Sequence, residues 1–261
     1  MSSDFFLDKK RLKKLDKELQ SMINRTGSDK KTEDEVFDKK TLKVLEKFIS
    51  DGVIDYLDFP ISTGKEGNVF RGVTSDKKFV AVKIYRTSNS TFKHIAKYII
   101  GDPRFESINK KGHNLIYEWT KKEFKNLSRV KTLDINAPKP IINIKNVLVM
   151  QYLGDDKQPA PLLKEIEIDN PEEIFELLIG FIKKMYHKAK LVHADFSAFN
   201  VLIYRKKPYI IDFGQAVLLD HPNSDEFLRR DISNICNYFK KYNMNYKPDQ
   251  IYNYIINNKK K

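Results

Sequence analysis

The apolar residues of this chain change rhythm once, near Gly154, and that change excludes most architectures. Before it, short runs rich in Val, Ile and Phe fall at residues 59–62, 68–73, 79–85, 141–144 and 147–151. The turn Thr74-Ser75-Asp76-Lys77 is too short for a crossover, so the runs on either side of it pair antiparallel. A helical pattern over 115–132 interrupts the series, and Pro138 and Pro140 punctuate the return to strands that meet at Lys145-Asn146. After Gly154, a loop with Pro159 and Pro161 leads to amphipathic helical patterns over 171–187, 225–242 and 249–257. Strand-sized pieces at 191–192, 201–204 and 209–212 lie between them. The expected class is α+β: a small antiparallel sheet with one flanking helix, then a mainly helical half.

Residues 1–24 and 35–50 carry apolar positions at helical spacing around a polar break from Arg25 to Asp34. The expected organisation is therefore an N-terminal helical extension over 1–58, a first lobe over 59–153 with a long insertion at 86–116, and a second lobe over 154–261.

Composition narrows the function classes. The longest apolar stretch, 174–182, is broken by Glu176 and Gly180, and no basic-then-apolar leader opens the chain, so no membrane partner and a cytoplasmic location are expected. Cys236 falls in the rhythm Leu228, Ile232, Ile235, Phe239 and reads as a buried core residue, while the histidines lack zinc spacing. Lys and Arg total 48 against 35 Asp and Glu, a net charge of +13, and such a field favours polyanionic partners. A Lys- and Asn-rich composition bias gives the same excess, which is densest between Arg86 and Lys131.

Five patterns follow one another in a fixed order. Ser62-Thr63-Gly64-Lys65-Glu66-Gly67-Asn68-Val69 lies between two expected strands, where paired glycines let a hairpin backbone approach phosphates and Val69 covers an adenine face; alone, such a motif is more often a plain turn. Lys83 follows within Val80-Ala81-Val82-Lys83, and a lysine inside an apolar strand needs an anion, whereas one on an edge strand needs only water. Its carboxylate partner is expected to be Glu123, with Glu118 as the alternative on the same helix. Met150-Gln151-Tyr152-Leu153 ends the last strand of the first half, where the Gln151 carbonyl and Leu153 amide are placed to bond an adenine edge.

The fourth pattern is His193-Ala194-Asp195 with Asn200, and the fifth is Ile211-Asp212-Phe213-Gly214. Asp195 is suited to orient a hydroxyl or water and accept its proton, while the Asn200 amide oxygen and the Asp212 carboxylate suit Mg²⁺, with Mn²⁺ as an alternative ion. Each fragment alone is compatible with a capped loop. Their joint order points to ATP-dependent phosphoryl transfer on a two-lobed protein-kinase-like fold, with Lys83, Asp195 and Asp212 carrying the chemistry.

Together these residues resemble the Rio atypical serine/threonine protein kinases, and within them the Rio-one-like, archaeal-type subfamily. The resemblance rests on I-S-T-G-K-E-G-N-V-F, A-V-K-I-Y, G-D-P-R-F, W-T-K-K-E-F-K-N-L, L-V-H-A-D-F-S-A-F-N and I-D-F-G-Q-A-V followed by H-P. It implies a phosphate-binding role for Lys83, a catalytic role for Asp195, metal ligation by Asn200 and Asp212, and a phosphoaspartate at Asp212 with ATPase cycling. It also implies work in small-ribosomal-subunit maturation, with a pre-40S/30S-type particle and its rRNA, and no DNA, as the partner.

No Ala-Pro-Glu follows Asp212, so an activation segment and a full peptide-docking subdomain are not expected. Ala194 stands where regulated kinases carry an arginine, which argues against control by loop phosphorylation. Asp231 reads either as a brace for the catalytic loop or as an exposed helix acid. Thr87, Ser88, Ser90 and Thr91 are positioned as autophosphorylation sites. Rival classes are a small kinase linked to transfer-RNA modification and a nucleotide-binding RNA scaffold.

Overall fold

In the computed structural model of the chain, the described residues are 38–64, 66–87, 95, 98–99, 101–105 and 113–257. The helix expected over 1–24 and the break after it lie outside them. The described residues form two compact units: one of 38–87, 113–121 and 141–152, the other of 95–105, 122–140 and 153–257.

The first unit opens on helix α1 (Lys39–Ser50). The periodicity starts this helix near 35, yet it begins at Lys39. Asp38 sits in extended backbone and its carboxylate accepts the Thr41 N–H at 2.7 Å, so a local hydrogen bond fixes the terminus rather than the apolar rhythm. Strands β1 (Tyr56–Thr63), β2 (Gly67–Val73), β3 (Phe79–Tyr85), β4 (Pro140–Ile144) and β5 (Val147–Gln151) build one sheet in the order β1-β2-β3-β5-β4. The β1–β2, β2–β3 and β3–β5 pairs are antiparallel.

Register decides what each face of this sheet does. Phe70, Val80, Val82, Ile84, Val147 and Val149 point to one side and form a core with Leu42, Leu45 and Phe48 of α1. The other side carries Val69, Ala81, Lys83, Leu148 and Met150, because Val69 pairs with Lys83, Lys83 with Leu148, and Ala81 with Met150. The buried Asn146 side chain, at the β4–β5 turn, locks α1 to the sheet by donating to Thr41 Oγ1 at 2.8 Å and the Tyr85 carbonyl at 2.9 Å.

Helix α2 (His113–Lys131) runs from the first unit into the second. The second unit continues with α3 (Pro171–Lys184), α4 (Ser224–Phe239) and α5 (Pro248–Ile256). The helical pattern expected to run to 187 widens into a π-turn over Met185–Ala189 and stops at Lys190, whose φ is 52°. Phe175 of α3 meets Phe239 of α4 edge-on at 5.3 Å, and Cys236 is buried beside them on α4, where burial pushes its thiol pKa up. Two small ribbons complete the unit: β6 (Leu191–Val192) with β9 (Val217–Leu218), and the hairpin β7 (Val201–Tyr204)/β8 (Lys207–Ile210). The strand expected to reach Asp212 ends at Ile210, because Asp212 takes a φ of 63°, outside any strand conformation. Among the described residues no helix is long and apolar enough to cross a membrane.

Candidate active site

In the first unit, the β1–β2 hairpin presents Ser62, Thr63 and Gly64 exposed at its tip, with Ser62 opposite Val69 and Thr63 opposite Asn68. The Gly64 N–H donates to the Gly67 carbonyl at 3.0 Å and closes the turn; Lys65 lies outside the described residues. The half-buried Glu66 accepts the Arg86 N–H through its carbonyl at 2.9 Å, extending the β2–β3 ladder. Gly67 is required by close approach: a Cβ there would lie 2.4 Å from the Ile84 carbonyl oxygen and 2.9 Å from Tyr85 Cα. Gly67→Ala should force the hairpin away from β3, costing about 1–3 kcal/mol. Thermal unfolding of the variant, with ATP titration beside it, checks this as a lower melting temperature and weaker nucleotide binding.

Lys83 lies on β3, flanked by β2 and β5, so the edge-strand alternative is excluded. It is 8% exposed, and its Nζ sits 4.8 Å from the centre of the Tyr85 ring. A lysine held in that position keeps its charge only beside anions or π-faces. Met150 and Gln151 end β5 half-buried, while Leu153 belongs to the second unit. Thr87 donates its hydroxyl to Asp38 Oδ2 at 3.1 Å; Ser88, Ser90 and Thr91 lie outside the described residues.

The second unit gathers the acidic residues. Between the two alternatives on α2, Glu123 is 1% exposed, whereas Glu118, counted with the first unit, reaches Lys121 at 3.6 Å near the surface. His193, buried at the end of β6, bonds the Ile211 carbonyl through Nε2 at 3.1 Å and stands edge-on to Phe196 and Phe213. Asn200 donates Nδ2 to the Asp195 carbonyl at 2.8 Å and to Asp195 Oδ2 at 2.9 Å, and its own carbonyl accepts the Ile211 N–H at 3.0 Å. The β7–β8 hairpin thus fastens the loop of Asp195 and Asn200 to the loop of Asp212 at its open end, where Val201 pairs with Ile210.

Asp231 resolves to a brace. It is 1% exposed, and its two oxygens accept the N–H groups of Ala194 at 2.8 Å and Phe196 at 2.9 Å, on either side of Asp195. Ala194 needs such support, since its φ of 65° is unfavourable for a residue with a β-carbon. Burial pushes the Asp231 carboxyl up to about 7, against the two N–H bonds that favour its charged form. Sequence reading missed Arg230, which donates to the Ala194 carbonyl, and Asn234, which donates to the Phe196 carbonyl at 3.2 Å. The i, i+4 spacing of these two residues around Asp231 was the available signal.

The donor set fits magnesium. Both Asn200 bonds above use the amide nitrogen, leaving the oxygen for a hard cation, and Asp212 adds a half-buried carboxylate. Among the described residues no cluster of three or more His, Cys, Asp or Glu is arranged to hold a metal by itself. One amide oxygen and one carboxylate suit an ion that takes its other ligands from substrate phosphates and water.

A family profile described as the RIO domain matches residues 68–251. The chain is 41% identical over 225 residues to the RIO-type serine/threonine-protein kinase Rio1 of Haloferax volcanii, covering 86% of this chain and 77% of that protein. It is 47% identical over 187 residues to the Thermoplasma acidophilum Rio1, covering 72% and 98% respectively. With human serine/threonine-protein kinase RIO1 it shares 37% over 246 residues, 93% of this chain and 43% of the human protein. Among solved structures, the Rio2 kinase of Chaetomium thermophilum superposes with a TM-score of 0.62 at 18% identity, over 90% of this chain and 83% of that one. The ADP/Mg²⁺-phosphoaspartate complex of the same kinase gives a TM-score of 0.60 at 22% identity, over 77% and 60%. The fold is thus the two-lobed kinase-like one, and the chain belongs to the RIO family as a Rio1-like atypical serine/threonine protein kinase.

Proposed function

We propose that this kinase uses Mg-ATP in a phosphoryl-transfer cycle that passes through a phosphoaspartate at Asp212, and that it works on the maturing small ribosomal subunit in the cytoplasm. The observation that carries the chemical part is the fastening of Asp195, Asn200 and the Asp212 loop to one hairpin, which sets two carboxylates and an amide oxygen on a common frame. Bound Mg²⁺ supplies charge neutralisation on the phosphates. Lys83 takes the phosphate-binding role, and the hairpin 62–69 covers the nucleotide.

In the first half-reaction an Asp212 oxygen attacks the γ-phosphorus as the bond to the ADP oxygen breaks, and ADP leaves with that electron pair. In the second, water attacks the acyl phosphate, Asp195 accepts its proton, and Asp212 is released as carboxylate beside inorganic phosphate. Where a protein hydroxyl replaces water, the same two carboxylates perform the kinase reaction. Support for the covalent step comes from the relative trapped as an ADP/Mg²⁺-phosphoaspartate complex. The net charge of +13 supports an rRNA-rich partner, because Lys and Arg contacts to phosphates give salt-sensitive, sequence-tolerant binding.

The test is Mg²⁺-dependent ATP turnover with and without small-subunit particles, with acid-quenched protein probed for hydroxylamine-labile phosphate. Turnover accompanied by labile phosphate, and particle binding that weakens with salt, are the expected results. Nucleotide binding without turnover in either condition would favour the scaffold class instead.

A further inference from the structure

A second set of polar residues lies apart from those assigned to phosphoryl transfer: Asp102 and Arg104, in the turn Gly101-Asp102-Pro103-Arg104-Phe105, and Lys122 and Asn126, one turn apart on α2. All four belong to the second unit. Asp102, Lys122 and Asn126 are 1%, 2% and 1% exposed, and polar groups so deeply buried are costly unless they bond.

What they bond is the main chain just past Asp212. Lys122 Nζ donates to the Gly214 carbonyl at 2.9 Å. Asn126 Nδ2 donates to the carbonyls of Phe213 at 2.9 Å and Ala216 at 3.1 Å. Arg104 donates Nη1 to Asn126 Oδ1 at 2.8 Å, which turns the amide nitrogen toward that loop, and Nη2 to the Ala216 carbonyl at 3.4 Å. Its guanidinium grips Asp102 as a fork, Nε to Oδ1 at 2.9 Å and Nη2 to Oδ2 at 2.6 Å.

The turn beneath is itself seated. Gly101 has φ 87°, and a Cβ there would lie 2.8 Å from the Pro222 ring. Burial alone would raise the Asp102 pKa, but the bonds and charge of Arg104 more than offset it and hold it low, so Asp102 stays ionised. Burial, helped by the Arg104 charge, holds Lys122 well below its ordinary range. Asp212 follows β8 in left-handed backbone, a conformation that a residue other than glycine keeps only when its surroundings dictate it. Three clamped carbonyls within four residues of it are such surroundings.

We propose that Asp102, Arg104, Lys122 and Asn126 form a positioning brace that fixes the main chain over 213–216 and so aims Asp212, making the seating of the 101–105 turn a determinant of the metal loop's geometry. This rests on the role given to Asp212 above. The four are positioning residues, since none is placed against nucleotide.

The experiment uses the full chain without nucleotide or metal and compares three proteins by amide hydrogen exchange: the parent, Lys122→Met, which keeps the chain's reach but removes the donor, and Arg104→Lys, which keeps the charge but loses the fork. Peptides covering 211–217 should exchange about tenfold faster in Lys122→Met and by a smaller factor in Arg104→Lys, with α4 unchanged. In ATP turnover, kcat should fall about tenfold or more in Lys122→Met while KM for ATP stays within about threefold. Unchanged exchange over 211–217 in both variants overturns the brace, and so does acceleration that extends equally through α4. Should Lys122→Met fail to fold, Arg104→Lys decides by the same two readouts. Should the parent show no turnover, the proposed function falls while hydrogen exchange still decides the brace.

Discussion

Asp212→Ala should lose ATP turnover by about a thousandfold or more while remaining folded. The carboxylate is assigned two tasks, metal ligation and attack on phosphorus, and the several kcal/mol that metal charge contributes corresponds to about three orders of magnitude in rate at 1.36 kcal/mol per tenfold. Nothing comparable is at stake for the fold, because the side chain is half-buried at the end of a loop whose main chain is held by other residues. Single-turnover hydrolysis with a thermal melt beside it reads both halves of the expectation, with the melting temperature within about 4 °C of the parent. Near-normal turnover would remove Asp212 from the chemistry.

Asp231→Ala should do the opposite kind of damage. Two buried N–H groups, of Ala194 and Phe196, lose their acceptor at once, at about 1–3 kcal/mol each. A melting temperature lower by about 10 °C is expected, together with loss of turnover, because Asp195 lies between the two braced amides. The same carboxyl gives a pH signature. Its folded pKa of about 7 stands above the ordinary carboxyl value of 3.8, so its stabilising contribution is complete below about 4 and is lost as pH rises through about 7. Asp231→Asn cannot ionise and places a donor against a donor, so it should melt below the parent at pH 5. The gap between the two should narrow toward pH 8, and melts at four pH values check the sign; a widening gap contradicts it.

Much of this was legible in the residues because the relevant signals are local. The strands over 79–85 and 147–151 appear in the structure as read, since β-rich runs bounded by turn residues leave little freedom. The end of β8 was misplaced by two residues because an aspartate adopts left-handed backbone only at a minority of positions, and its residue type does not say which. The ribbon partner β9 was missed because two residues carry no period. Asp231 stayed ambiguous for a different reason: whether a helix acid meets water or a loop amide is set by what packs on the helix, not by the helix itself. The brace of Asp102, Arg104, Lys122 and Asn126 was hidden in the same way, its members spread over two short motifs whose common partner lies far downstream.

The seat of α1 on the sheet bears on where this domain begins. The family match opens at residue 68, inside β2, yet Leu42, Leu45, Phe48, Ile54 and Leu57 all lie ahead of that point and share one apolar interior with Phe70 and Val149. A fragment cut to the matched boundary would lose the lining of an entire sheet face as well as the first strand. A self-sufficient version of the first unit therefore reaches back at least to Asp38, the residue whose carboxylate starts the helix.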